Sequence, residues 1–473
     1  MKVHFIYPNV DCFRYPGVHH GLASISSVLG AGGHAVSLHY VVKRPSKRDI
    51  LGVIEREAPD LIGFSSTTNQ IQFVDLWSRW IKEESNTPTI CGGVHATLMP
   101  EEVLAFEGID MICRGEGEYP MLELAEDSGP FGIRNLWTKR DGVIVRNELR
   151  PLIDPLDDLP WPDYDLFNCE RILSERGDFA LLASRGCPFN CAHCCNHALK
   201  EVLGARYFRL RSVDNVLAQI ELLTSKYDIG RITFADDTFG LSKEWALEFC
   251  ERYRDRFSME FECNARADLV DEELVKNLKA ANCTLISLGV ESGDERIRKE
   301  VLNRKMSDQQ IVNAFDLVHS YGIKTNAFNM IGLPYETRES VQRTIDLNKR
   351  LKPDHVTVSF FYPYPQTRLW DVCKNEGFLT VRSATDHVRQ STIDLPTITR
   401  KELERLWTEF YRFAIEREAH AFPVFLRPPL RTMSFVLSRL FGKRGIEFMM
   451  ALQLRYGKLL RRRRGRSGAT QRT

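Results

Sequence analysis

Short apolar runs alternate along this chain with stretches in which apolar side chains return at helical spacing, and the alternation comes in two blocks. In the first block, strands are predicted at Val3–Tyr7, His34–Tyr40, Leu61–Ser65 and Thr89–Cys91, with helices at Gly21–Leu29 and Gln70–Glu84. The Gly30-Ala-Gly-Gly33 run stops the first helix. Alternation of this kind predicts an α/β domain with a doubly wound, Rossmann-like parallel sheet, spanning residues 1–145. Ligands of such sheets bind over the carboxyl ends of the strands, where Ser65, Thr67, Gly92 and Gly93 fall.

Residues 146–178 read as a linker, because Pro151, Pro155, Pro160 and Pro162 interrupt any regular structure. The alternation resumes over 179–378. Strands are predicted at Phe179–Ser184, Arg231–Ala235, Glu260–Asn264, Leu285–Val290, Lys324–Met330 and His355–Phe360, with helical patterns between them. Six such units predict a partial (β/α)6 barrel of the TIM type, with its active site at the strand C-termini. Residues 379–473 read as a helical extension, with helices at Arg400–Glu418 and Met433–Gln453 and a basic tail at Arg461–Arg464.

The 473 residues are 43% hydrophobic and 27% charged, as in globular proteins, and are enough for two or three domains. A formal net charge of +1 gives no signal for nucleic acid. No apolar run approaches the ~20 residues that span a bilayer, and Met1–Pro8 reads as a strand and not as a signal peptide. Twelve cysteines without a secretion signal predict a reducing, cytoplasmic setting, where thiols serve as ligands or core packing. From Arg427 to Arg466 the only acid is Glu447, and apolar residues recur at helical spacing. Two readings stay open there: a basic amphipathic surface lying on the inner, anionic membrane face, or a helix packed on the barrel with arginines in solvent.

The chemistry concentrates in Arg185-Gly-Cys187-Pro-Phe-Asn-Cys191-Ala-His-Cys194. Three thiolates in a C-x3-C-x2-C loop can hold three irons of a 4Fe-4S cluster and leave the fourth iron open for a ligand. The alternative is a zinc knuckle completed by Cys195 or His197. The triplet, directly after a strand, resembles that of the radical S-adenosylmethionine (SAM) enzymes, whose open iron chelates the methionine end of SAM.

Further strand-end segments resemble the same superfamily. Phe234-Ala-Asp236-Asp237-Thr-Phe239 offers a carboxylate to the SAM ammonium, while one of its two aspartates has the alternative role of a helix cap. Arg266, in Asn264-Ala-Arg266, either pairs with the SAM carboxylate or forms a structural ion pair. By resemblance, Glu291 and Ser292 of Gly289-Val-Glu-Ser-Gly293 hydrogen-bond the ribose or methionine part. Ile331 and Gly332 of Asn329-Met-Ile-Gly-Leu-Pro334-Tyr-Glu336 form the adenine-contacting edge. His193 stands where the superfamily commonly has an aromatic residue.

Gly92-Gly-Val-His-Ala-Thr97 and Arg114-Gly-Glu-Gly-Glu118 resemble the cobalamin-binding domain found in front of many radical SAM barrels. Ser65, Thr67, Gly92 and Gly93 match its later motifs, which pass the cofactor's nucleotide tail close to the backbone. The histidine that ligates cobalt in the better-known form of that domain is missing, since Val18 occupies its register and His19 lies one residue away. We therefore expect no protein imidazole on the lower face of the cobalt.

The resemblance implies a cobalamin-dependent radical SAM enzyme that uses a 4Fe-4S cluster, SAM and cobalamin. Its expected reaction is reductive cleavage of SAM to a 5′-deoxyadenosyl radical, hydrogen abstraction from an unactivated carbon and methyl transfer from methylcobalamin. It implies a small-molecule or lipid, pigment or natural-product substrate and an external one-electron reductant of the flavodoxin or ferredoxin type. The same cofactors also support non-methylating oxidative cyclisation or ring rearrangement, as in an anaerobic Mg-protoporphyrin ester cyclase. A non-catalytic cobalamin or redox sensor is the alternative of a different class.

Overall fold

The computed structural model of the chain describes residues 1–10, 17–126, 129–140, 143–204, 207–380, 390–418 and 427–452. The first sheet has seven strands: β1 (Lys2–Pro8), β2 (Ala35–Val41), β3 (Leu61–Ser65), β4 (Thr89–Gly92), β5 (Met111–Cys113), β6 (Leu136–Arg140) and β7 (Val143–Arg146). Their order is β2-β1-β3-β4-β5-β6-β7, with β1 to β5 parallel and β6 and β7 antiparallel. The chain runs outward from β1 in both directions, which opens a crevice over the carboxyl ends of β1 and β3. Helices His20–Ala31 and Glu118–Glu126 cover one face, and Lys47–Glu57 and Ile71–Glu84 the other. A capping box between Ser46 and Asp49 starts the Lys47–Glu57 helix.

The second block contains β8 (Phe179–Leu181), β9 (Ser184–Arg185), β10 (Arg209–Leu210), β11 (Arg231–Phe234), β12 (Glu260–Ala265), β13 (Cys283–Glu291), β14 (Lys324–Ile331) and β15 (His355–Phe360). Six of them make a curled, all-parallel sheet in the order β15-β14-β13-β12-β11-β8. Its end strands do not pair among the described residues, so the barrel is partial. The run expected as one strand over 179–184 is split, and its end turns aside as β9 to pair antiparallel with β10. Along β12, β14 and β15 buried residues alternate with half-buried ones. The buried set packs outward on the helices, as where Phe261 meets Phe234, Phe249 and Tyr253. Each fully buried ring contributes about 1.5–3 kcal/mol. The other set leaves a polar lumen in which Asn326 donates to Ser287 Oγ (3.3 Å) and accepts from Thr357 Oγ1 (3.3 Å).

Three expectations need correction. The 146–178 stretch is not structureless, because it holds the helix Cys169–Arg176, started by the Asn168 side chain and ended by Gly177 at φ +79°. Tyr164, Phe167, Cys169 and Ile172 of this stretch are buried in an apolar core shared by both sheets. The strands β5, β6 and β7 extend the first sheet beyond the four predicted. The single C-terminal helix predicted from Met433 is instead a helix Arg427–Phe441, broken at Gly442 (φ +53°), and a second helical stretch over 443–452. Gln453 and the Arg461–Arg464 tail lie outside the described residues. Helix Arg400–Glu418 closes over β15 and the helix Arg338–Leu351. No described helix is long and apolar enough to cross a membrane.

Candidate functional site

The cysteine loop leaves the barrel at the end of β8 and is held on both sides. On the barrel side, Asp236, just past β11, is buried and accepts from Ala183 N–H (3.1 Å), Ser184 N–H (2.6 Å) and the Ser184 hydroxyl. Burial pushes its carboxyl up to about 6, against the pull of these hydrogen bonds. Gly186 then turns the chain at φ +80°, where a Cβ would stand 2.3 Å from the Tyr207 carbonyl. Further along, Ala192 bonds the Leu302 carbonyl and receives the Leu369 amide, so the loop is stitched to two barrel loops.

The three thiols share this loop and differ in surroundings. Cys191 is buried, and Arg266 Nη1 and Arg304 Nη1 each point at its sulfur from 3.6 Å. Cys194 caps the helix Cys195–Leu203, and its sulfur accepts from the Asn196 backbone and side chain at 3.5 Å. Burial pushes the Cys187 thiol up to about 11. Ligation must therefore displace protons, as it does at thiolate sites generally. Among the described residues no three His, Cys, Asp or Glu side chains converge on a single metal ion. A cubane, by contrast, spreads its cysteines over separate irons. His197, the expected partner of a zinc alternative, accepts the Arg368 backbone N–H at Nε2 (3.2 Å).

The predicted SAM residues separate into two groups. Asp237 lies beside the Cys187 and Cys194 thiols and bonds Asn196, and burial raises its carboxyl. Glu291 sits at φ +66° after an irregularity in β13, half-buried near Arg304 and Arg266, with desolvation again raising its carboxyl. Asp237 thus lies beside the cysteines, and Glu291 lies by the two arginines that point at Cys191. Asp236 is instead spent on the strand, and Ser292 on a turn, accepting the Asp294 amide at Oγ (3.2 Å). The Arg266 fork is engaged by Asp268 (3.0 and 2.8 Å) and lies over the Phe189 ring at 3.6 Å. Ile331 packs outward into the core under helix Arg400–Glu418. The Gly332 and Leu333 amides donate to Glu336 (2.6 and 3.0 Å), a buried carboxyl pushed up to about 8 by desolvation.

Sequence reasoning missed Arg304 and Arg298. Arg304 joins Cys191 to the Gly289 carbonyl (2.8 Å), and fully buried Arg298 ties Ser292 to Met306 and Asp308. Arg298 lies in the short helix Ile297–Val301 after β13 and Arg304 in the irregular chain that follows it, and nothing in local periodicity marks them as buried.

Between the first sheet and the cysteine loop lies a cavity of about 310 Å³. Ser65, Gly92 and Gly93 line it, whereas Thr67 turns aside to bond Asn69 (2.7 Å). Its wall is cut close to the backbone. A Cβ on Gly63 would lie 2.5 Å from the Phe5 ring, one on Gly93 2.8 Å from the Ser66 carbonyl, and one on Gly117 2.9 Å from Ile25. Such a glycine cradle fits the tail of a large cofactor, and so does His20, which lines the cavity with a buried, unpartnered Nδ1. His19 lines it too, but is committed: Nδ1 accepts the Leu22 amide (3.0 Å) and Nε2 meets Ser65 Oγ (3.2 Å). Burial lowers its pKa to about 4, so the ring is neutral and its proton sits on Nε2, facing Ser65.

The opposite wall carries Arg185 and Arg209, paired with Glu116 and Glu118 of the first domain. Although burial opposes it, the two guanidinium charges hold Glu116 below its ordinary value.

Comparison with known proteins agrees with this geometry. The family model of the radical SAM superfamily matches residues 181–348, and that of the B12 binding domain matches residues 7–125. An uncharacterised methyltransferase of Pyrococcus horikoshii is 29% identical over 83% of this chain and 86% of its own length. An anaerobic magnesium-protoporphyrin IX monomethyl ester cyclase of Rubrivivax gelatinosus is 26% identical over 89% and 79%. The solved radical SAM methyltransferase TsrM of Kitasatospora setae, with cobalamin and a 4Fe-4S cluster bound, shares the fold. Its TM-score is 0.66 at 18% identity, over 81% of this chain and 79% of that one.

Proposed function

Because this chain belongs to the radical SAM enzymes that carry a B12-binding domain, we propose that it methylates an unactivated carbon of a small-molecule, pigment or lipid substrate. One observation carries the reading. A single cavity is walled on one side by Ser65, Gly92 and Gly93 and on the other by Arg185-Gly186, the step into Cys187. When bound, the cluster with SAM supplies an adenosyl radical and cobalamin supplies a methyl group.

The chain's own residues bind, orient and exclude water. Cys187, Cys191 and Cys194 would hold the cluster, and Asp237 and Glu291 would receive the polar methionine and ribose groups of SAM. Asp236, Arg298 and Glu336 position the strand ends beneath them. The glycine cradle would take the cobalamin tail. His19 would stay off the cobalt, because ligation would cost both its cap to Leu22 and its bond to Ser65.

The reading includes a one-electron reductant of the flavodoxin or ferredoxin type and a cytoplasmic setting. It extends to contact of the C-terminal helices with an anionic membrane face. Phe435, Val436, Leu440, Phe441 and Phe448 are exposed there, with the Arg439 guanidinium over the Phe435 ring. Anaerobic reduction of the reconstituted protein with SAM and candidate substrate extracts tests the function. Methylation yields 5′-deoxyadenosine together with S-adenosylhomocysteine. The first product alone replaces methylation with cyclisation or rearrangement, and neither product refutes both.

A further inference from the structure

The segment Arg114-Gly-Glu-Gly-Glu118 connects two domains that are distant in sequence. Its Glu116 and Glu118 leave β5 and enter the helix Glu118–Glu126, and both reach the strand that delivers Cys187. Arg185 Nη1 lies 2.7 Å from Glu116, and Arg185 Nη2 lies 2.6 Å from Glu118 and 3.1 Å from Ser24 Oγ. Ser24 in turn donates to Glu118 (2.7 Å). Glu116 also receives Arg209 Nη1 (3.0 Å) and the Ile153 amide (2.7 Å). Arg209 donates to the Ile153 carbonyl (2.7 Å), so the linker is part of the same network.

Two carboxylates and two guanidinium groups balance in charge. The Glu118 and Arg209 side chains are only 3% and 4% exposed. An apolar contact would join two domains at least as tightly, whereas a buried ion network held by several directed hydrogen bonds serves register. The network sits where register has consequence. Arg185 is separated from Cys187 by one glycine, its backbone pairs with β10, and its side chain lines the cavity assigned to cobalamin.

We propose that Arg185 is a positioning residue, clamped by Glu116 and Glu118 so that the B12-binding domain sets where the cysteine loop stands relative to the cobalt. The clamp acts through distance and orientation and touches no reacting atom. The inference rests on the cobalamin reading above.

The test is the dipolar coupling between cob(II)alamin and the reduced cluster, read by pulsed electron paramagnetic resonance on the reconstituted holoenzyme. The parent protein should give a narrow distance distribution. Arg185→Lys, which keeps the charge and loses the fork, and the double variant E116Q/E118Q should retain cluster iron and cobalamin but give broader distributions shifted to longer distance. Should the double variant not fold, Glu118→Gln alone carries the test. A parent without coupling overturns the cobalamin reading, and the clamp with it. A coupled parent whose folded variants keep its distribution overturns the clamp alone. So does loss of cobalamin from a folded, cluster-bearing variant, which would make these residues cofactor contacts.

Discussion

Two adjacent aspartates follow β11, one bonded into the strand and the other facing the cysteines, so on the proposed reading their substitution should separate stability from ligand binding. Among the described residues Asp236 is the acceptor for Ala183 N–H and Ser184 N–H, at 3.1 and 2.6 Å, and it also takes the Ser184 hydroxyl. Replacing it by alanine leaves two buried amides unpaired and a hydroxyl to reorient. At about 1–3 kcal/mol for each unpaired amide, the local cost is roughly 2–6 kcal/mol. Asp236→Asn keeps one acceptor oxygen and should lose roughly half of that. Asp237 bonds Asn196 and otherwise faces the cysteines, so Asp237→Asn should change stability by less than about 1 kcal/mol while weakening SAM binding. Hydrogen exchange read by mass spectrometry on the peptide spanning 179–187 measures the effect where it arises. A local loss of roughly 2–6 kcal/mol accelerates exchange there by roughly 30- to 10⁴-fold. Equal exchange in Asp236→Ala and the parent would refute the anchoring role, and so would an equal acceleration in Asp237→Asn.

Cys191→Ser should fold with an unchanged melting temperature, since the Arg266 and Arg304 contacts tolerate oxygen, yet lose most of its iron on reconstitution; iron analysis beside calorimetry checks both parts. Glu336 has a folded pKa of about 8 against an ordinary 4.5. Its raised value means that stability is full below the ordinary pKa and is lost as pH rises through about 8. Glu336→Gln keeps an acceptor for the Gly332 and Leu333 amides. It should flatten unfolding free energy over that window and exceed the parent at its alkaline end by on the order of a few kcal/mol, as read by denaturant titration at several pH values. His19→Gln should lower stability by about 1 kcal/mol through its helix cap. It should leave the cob(II)alamin paramagnetic resonance line shape unchanged; imidazole nitrogen splitting in the parent that the variant lacks would reverse the assignment.

Much of the fold was legible because period and punctuation agree in this sequence. The parallel strands β1, β3 and β4 and the six barrel strands stand out as apolar runs between amphipathic stretches. The C-x3-C-x2-C loop then falls at the mouth of the barrel because it directly follows a strand. The β6–β7 pair carries a sequence signal too, Asp141-Gly142 between two β-rich runs. The helix Cys169–Arg176 was hidden by the prolines before it, although Asn168 and Gly177 mark its two ends. Roles that depend on contacts remote in sequence were not legible. Nothing local says that Asp236, and not Asp237, reaches back to Ala183. Nor does the sequence around Glu116 and Glu118 reveal that Arg185 is their partner, since that pairing exists only once two domains have docked. Gly442 illustrates the opposite limit, a single glycine with positive φ dividing a helix that hydrophobic spacing reads as continuous.

The central claim is that a methyl group passes from SAM to substrate by way of a cobalamin held against the cysteine loop. The most direct measurement supplies the reconstituted, reduced protein with SAM carrying a trideuterated methyl group, and follows the label by mass spectrometry of the corrinoid fraction. The account predicts label in the corrinoid and an equal amount of S-adenosylhomocysteine, both depending on bound cobalamin. An unlabelled corrinoid, from protein that binds cobalamin and cleaves SAM to 5′-deoxyadenosine, would contradict it.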